Sequence, residues 1–287
     1  MQDEIHVILD SVSCVQETAF INDPRVHMVP LITELGDLEW RDGTKTLEEL
    51  VSLIEATGEL PKTSQPPLGD ILNLFVELAK EGKKAFFITL SSGISGTYQT
   101  ACMAAEEVKH KYPDADIRVL DSLNAALPLT AVARDLLAMA DAGCRDMDEL
   151  ERFAKEQLAS IHTFFTVETL DYLIKGGRIS KASGIIGGIL GIRPILTFDE
   201  AGHIVALDKC RTRKKALLHC MDLACSCGKV EHIYVCGCFC QEDMEHVAAE
   251  MAARNPGATV ELAPLGTVLL AHVGPGILGI LVRTVKD

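Results

Sequence analysis

Across the first half of the chain, short apolar runs alternate with longer segments whose apolar residues recur at helical spacing. Ile5–Asp10, Lys84–Leu90, Asp116–Asp121 and His162–Glu168 read as buried strands. Between them, Thr46–Ala56, Leu68–Glu81, Ser95–Lys111 and Ala125–Ala142 read as helices. Thr46 and Glu49 have the spacing of a capping box, and Gly143 is a stop signal. Strands alternating with helices imply crossover connections and a mostly parallel sheet.

The second half changes pattern. Pro194–Phe198 and His203–Asp208 flank the turn Asp199-Glu200-Ala201-Gly202 and read as a hairpin. A helix over Thr212–Cys227, a strand over Glu231–Cys238, a helix over Glu242–Arg254 and two closing strands complete the chain. A mixed sheet covered by helices fits this order. The fold class expected is therefore α/β, with two α/β domains spanning residues 1–160 and 161–287. No long linker marks the join near Ser160, so the two should pack closely.

Composition narrows the function. A chain of 287 residues with 48% hydrophobic content can bury a sizeable core and enclose a ligand. Its 41 acidic and 27 basic residues give a net charge of −14. That balance argues against nucleic acid or an anionic membrane as a partner, since both demand excess Lys and Arg. The uncharged stretch Leu262–Val282 is broken by prolines and glycines and reads as a buried strand and turn, not as a stable membrane insertion. The acidic opening Met1-Gln2-Asp3-Glu4 is unlike a secretory signal. Ten cysteines without such a signal suggest reduced thiols and a cytoplasmic protein.

Three of the expected parallel strands end alike, in Asp10-Ser11, Ser91-Ser92-Gly93 and Asp121-Ser122. Carboxyl ends of strands form the ligand crevice of open α/β sheets, although each serine could equally cap a helix. The stretch LSSGISGTYQ lies at a strand-to-helix turn, where free N–H groups and the helix dipole favour an anion. It is not a nucleophile elbow, because Ser95 has Gly93 before it but Thr97 after it. Lys62-Thr63-Ser64-Gln65-Pro66-Pro67 reads as a rigid, donor-rich loop, and His272 as the end of an apolar strand before a tight turn. Hydroxyls and one imidazole, with no acid coupled to them, suit holding a carboxylate or phosphate better than breaking a bond.

Other features have blander readings beside sharper ones. Gly176-Gly177 should end a short helix and expose Arg178, and the glycines at 184, 187, 188 and 191 form a flat face for a close neighbour. Seven cysteines fall between Cys210 and Cys240, and Cys236, Cys238 and Cys240 would share a strand face. Their spacing is not the paired C-x-x-C of zinc sites, so no metal is expected and they read as small buried hydrophobes. Lys209, Arg211, Arg213, Lys214 and Lys215 form a basic run that either solvates a helix start or docks a partner.

Five motifs in order, TSQP, LSSGISGTYQTA, GGRIS, IRPIL and HVGPG, resemble the DegV family of bacterial fatty-acid-binding proteins. The resemblance runs from Ile8–Ser11 to His272–Gly276. It implies two α/β domains with one long-chain fatty acid buried at their junction, and no other cofactor. It also implies a non-catalytic carrier that presents the acid to the catalytic subunit of a fatty-acid kinase, which makes an acyl-phosphate for phospholipid synthesis. The carboxylate ligands carried over are Thr63, Ser95 and His272, with Ser64 and Ser92 as neighbouring hydroxyls. Arg178, with Arg213 and Lys214 of the basic run, are the candidates for docking the kinase. One departure is Asp10-Ser11-Val12, where the family commonly has a DST-type run. The rival readings are a serine-dependent acyl hydrolase using Ser95 and His272, and a metal or redox protein built on the cysteines.

Overall fold

The computed structural model of the chain describes residues 4–179 and 191–285. It begins with β1 (Ile5–Asp10), then tight turns over residues 11–22, β2 (Val26–Val29), β3 (Ile32–Leu35), β4 (Leu38–Arg41) and α1 (Leu47–Thr57). Next come β5 (Lys62–Ser64), α2 (Leu68–Lys80), β6 (Lys84–Thr89), α3 (Thr97–Lys111), β7 (Ile117–Asp121), α4 (Leu127–Asp141) and α5 (Met147–Ala159). The remaining elements are β8 (Ile161–Thr166), α6 (Asp171–Gly176), β9 (Arg193–Phe198), β10 (Ile204–Cys210), α7 (Arg213–Cys225), β11 (Val230–Gly237), α8 (Gln241–Arg254), β12 (Thr259–Pro264), α9 (Thr267–Val273) and β13 (Leu278–Thr284).

A four-stranded sheet in the order β2-β1-β6-β7 is parallel throughout. Every residue of β1 is buried, as an inner parallel strand covered on both faces requires. Val7, Leu9, Phe86 and Ile88 pack toward α4, while Ile8 and Phe87 pack toward α2 and α3. The capping box at Thr46 and Glu49 forms as read, with both reciprocal hydrogen bonds present. The six-stranded sheet runs β10-β9-β8-β13-β11-β12, antiparallel except for the β11–β12 pair. It includes the hairpin read from the sequence, as β9 and β10.

The two sheets share a core. Leu127 and Ala131 of α4 pack with Phe165, Tyr234 and Cys236 of the six-stranded sheet. Arg283 of β13 is almost fully buried and bridges Asp135 of α4 and Glu231 of β11.

Several elements depart from the sequence reading. An antiparallel sheet, β4-β3-β5, stands where no strands were expected, and the Lys62–Pro67 loop opens with its edge strand β5. Its strands are only three or four residues long, too short for a periodicity to register. Helix α5 follows Gly143 directly, capped by Asp146. His272 lies on helix α9, not at the end of a strand, and that helix separates the two closing strands. The segment TVLLAHV buries five of its seven residues, so it has no polar face to betray a helical period. Gly184, Gly187 and Gly188 lie outside the described residues. Among the described residues, no helix is long and apolar enough to cross a membrane.

Candidate functional site

The loop after β6 is clamped from both sides by carboxylates. Asp10, at the end of β1, accepts from Leu90 N at 2.6 Å and from Val12 N at 3.1 Å. Asp121, at the end of β7, accepts from Ser92 N and from Leu123 N, each at 3.0 Å. Ser91 Oγ then reaches across to the six-stranded sheet, donating to Gly202 O in the β9–β10 turn at 2.7 Å. Gly93 meets the same turn so closely that a Cβ would stand 2.5 Å from the Gly202 carbonyl carbon. Only glycine allows that backbone approach. The loop is thereby fixed with Ile94 against the space between the sheets, and Ser95 Oγ shares a 2.9 Å hydrogen bond with Thr97 Oγ1.

The second part of the site comes from β5 and α9. Thr63 Oγ1 and His272 Nε2 share a hydrogen bond of 2.6 Å, across 209 positions of sequence. Ser64 follows Thr63 on the strand and is exposed, as the alternation of strand side chains demands. Across the sheet, Trp40, Thr33 and Thr63 stand opposite one another on β4, β3 and β5. The Thr33 hydroxyl in this row is fully buried and has no hydrogen-bond partner.

Helix α9 is held at its other end by Asp42. Its N-cap is Gly266, which has no side chain to cap with, and Thr267 Oγ1 donates instead to the buried Asp42 carboxylate. Burial raises the pKa of Asp42, against hydrogen bonds from Thr267, Ser11 and the Gly43 and Val268 N–H groups. Asp10 is also pushed up, to about 7, because its carboxyl is wholly desolvated.

His272 shifts the opposite way. Burial, and then the nearby Arg178 charge, lower its pKa to about 4, so the imidazole is neutral at neutral pH. A Cβ on Gly176 would lie 2.8 Å from Nδ1, which makes Gly176 a requirement for this packing. Arg178 is half-buried, with Nε donating to Ile94 O at 3.4 Å and Nη1 to Gly176 O at 2.5 Å. The expected outward arginine is thus turned inward: its guanidinium links the Ser95 loop to the end of α6, where Gly176 packs against His272. Gln65 closes the group from the β5 side, lying 3.0 Å from where a Cβ on Gly96 would be.

The neighbours of these polar residues open onto an apolar cavity. Ile94 precedes Ser95, Val273 follows His272, and both line a space of about 60 Å³ between the sheets. Its walls continue over Ala126, Phe165, Cys236 and Gly279.

Other sequence candidates fall elsewhere. Ser11, Ser91 and Ser122 are buried, and each is used in holding turns or loops: Ser11 accepts from Leu31 N, and Ser122 donates to Asn124 O. Ser92 lends its backbone N–H to Asp121, and its side chain is half-buried. Arg213 is not a free docking cation, for it pairs with Glu168 at 2.7 Å and Asp243 at 2.5 Å and donates to Gly276 O. Lys214 beside it is exposed. Cys236, Cys238 and Cys240 do not share one environment: the first lines the cavity, while the others donate to Gly274 O and Ile277 O. His272 Nε2 is directed to Thr63 and not to Ser95, and among the described residues those two form no hydrogen-bonded pair. The sequence reading missed Asp42, whose only signal is a carboxylate in the turn before a capping box, and Gly176, whose need appears only when α6 meets α9.

An α/β fold with an apolar cavity whose lining residues adjoin polar ones in sequence has the form of a small-ligand-binding protein. The chain belongs to the DegV family, whose profile matches residues 4–285. It is 34% identical over 236 residues to a DegV domain-containing protein of Streptococcus pyogenes, covering 78% of each chain. Its fold superimposes on the fatty-acid-binding DegV family protein of Streptococcus agalactiae with a TM-score of 0.88 at 28% identity, covering 99% of both chains. DegV of Bacillus subtilis, a fatty-acid-binding protein, is similar with a TM-score of 0.85 at 28% identity, covering 98% of this chain and 99% of that one.

Proposed function

We propose that this protein binds one long-chain fatty acid, with the carboxylate at Thr63, Ser95 and His272 and the tail in the apolar cavity. The observation that carries the reading is the Thr63–His272 hydrogen bond at 2.6 Å, whose sequence neighbour Val273 lines that cavity. A buried carboxylate needs several donors to offset its desolvation. A neutral imidazole, two hydroxyls and the half-buried Arg178 guanidinium supply donors and one compensating charge. The tail contributes ~0.8 kcal/mol per buried methylene, on the order of 12 kcal/mol gross for a long chain before ordering costs. Arg178 is better read as a partner of the carboxylate than as a docking residue.

The same reading makes the protein a carrier in the cytoplasm, where the thiols of its ten free cysteines would stay reduced. It presents the acid to a fatty-acid kinase catalytic subunit, which returns the acyl-phosphate for phospholipid synthesis. Exposed Lys214 remains the docking candidate of the basic run. Denaturing extraction of the purified protein followed by lipid mass spectrometry tests the binding. One equivalent of a long-chain acid is expected, and its absence, together with no uptake of added acid, would refute the reading. Acyl-phosphate formation on mixing with the kinase subunit and ATP tests the carrier role.

A further inference from the structure

We propose that Phe198 sets how much acyl chain the protein accepts, as the movable wall between the tail cavity and a second, open cleft. The inference rests on the fatty-acid reading and concerns the selectivity of that same site. The cleft holds about 440 Å³ beside the apolar cavity along β8 and β9, bordered by Asp121, Lys155 and Glu200. Among the described residues, two line both spaces: Thr163 and Phe198.

The two differ in freedom. Thr163 sits inside β8 opposite Leu281, its hydroxyl donates to Asn124 Oδ1 at 2.8 Å, and its carbonyl accepts from Thr197 Oγ1 at 2.7 Å. Moving it breaks two hydrogen bonds. Phe198 is the last residue of β9 and only half-buried, with its ring tilted against Phe165 at 6.3 Å. Rotating it breaks none of its backbone pairing with Ile204.

Space decides which state a ligand needs. At roughly 10–15 Å³ per water-sized site, a 60 Å³ cavity offers only a few such sites, far fewer than the carbons of a long-chain acid. A full tail needs the walls to give, and the partition that can give without losing hydrogen bonds is Phe198. The cleft beyond carries Asp121, Lys155 and Glu200, a poor surround for methylenes. In either position the volume of the ring limits the space left for the tail, and tails that outrun that space meet water. Each methylene left exposed then costs about fourfold in affinity.

The test is competition of lauric, palmitic and arachidic acids against a fluorescent fatty acid on the full chain. Phe198→Ala should raise the arachidic-to-lauric affinity ratio about tenfold or more, and Phe198→Trp should lower it. A merely structural role would weaken all three acids alike and leave the ratio unchanged. Should Phe198→Ala not fold, Phe198→Leu gives the same direction with a smaller change. Unchanged ratios in the variants that bind would overturn the proposal while leaving fatty-acid binding intact. A wild-type protein that takes up no acid would instead overturn the binding reading itself.

Discussion

The carboxyl end of β1 at Asp10 is fully buried and the β5–α9 contact at His272 partly so, and they respond to protons in opposite ways. Asp10 prefers to be protonated, with a pKa pushed up to about 7, whereas His272 resists protonation down to about 4. Asp10 adds stability that is fully present below its unfolded value of 3.8 and is lost as pH rises through about 7. His272 adds stability that is present above its unfolded value of 6.5 and is lost as pH falls toward about 4. Between those limits the two slopes oppose each other. Asp42 acts in the direction of Asp10, and His6 and His27, lowered by burial, act in the direction of His272. Burying an acid and a base on two sides of one site therefore flattens the pH response that either would impose alone.

Separating the pair should give the largest effect. Asp10→Asn removes a contribution of roughly 4 kcal/mol across the window from pH 3.8 to about 7, so stability should rise with pH there. His272→Gln removes about 3 kcal/mol of the opposite slope, so stability should fall with rising pH. Thermal melts of both variants across that range check the signs, and parallel curves would defeat the comparison. In wild type, fatty-acid affinity should show no inflection near 6.5, because the imidazole is already neutral.

Next in size are the hydroxyls. Thr63→Ala and Ser95→Ala should each cost roughly 1.5–3 kcal/mol, or about one to two powers of ten in fatty-acid affinity, by calorimetry. Their effects should be non-additive on the proposal that both hold one carboxylate. Ser64→Ala, on the exposed face of β5, should change little. If Ser64→Ala weakens binding as much as Thr63→Ala, the assignment of the inward face is wrong.

The smallest effect concerns docking. Lys214→Glu should slow association with the kinase subunit several-fold at low salt, while fatty-acid affinity stays unchanged. Association rates equal to wild type at every ionic strength would leave Lys214 as a solvated helix start.

The sequence made the parallel sheet legible because β1 and β6 are continuous apolar runs bounded by polar turns. Thr63, Ser95 and His272 were legible through the family motifs, and the structure joins Thr63 to His272 directly. Helix α9 was not legible, since an element buried on nearly all sides has no periodicity to read. The inward turn of Arg178 was hidden for another reason. It depends on the Ile94 and Gly176 carbonyls, which converge only when distant loops meet. Asp42 likewise looks like an ordinary turn acid until α9 arrives with an uncapped N-terminus.

The row Trp40, Thr33, Thr63 has an optical consequence. Trp40 is the single tryptophan of the chain, and it packs in the same core as Leu270 and Val273 of α9. Its indole sits two strands from the Thr63 hydroxyl proposed to meet the ligand, in a row with no other chromophore of its kind. Emission excited at the indole band should therefore report head-group docking at the proposed site. A titration with an unlabelled fatty acid should shift its intensity or maximum, with the change blunted in Thr63→Ala.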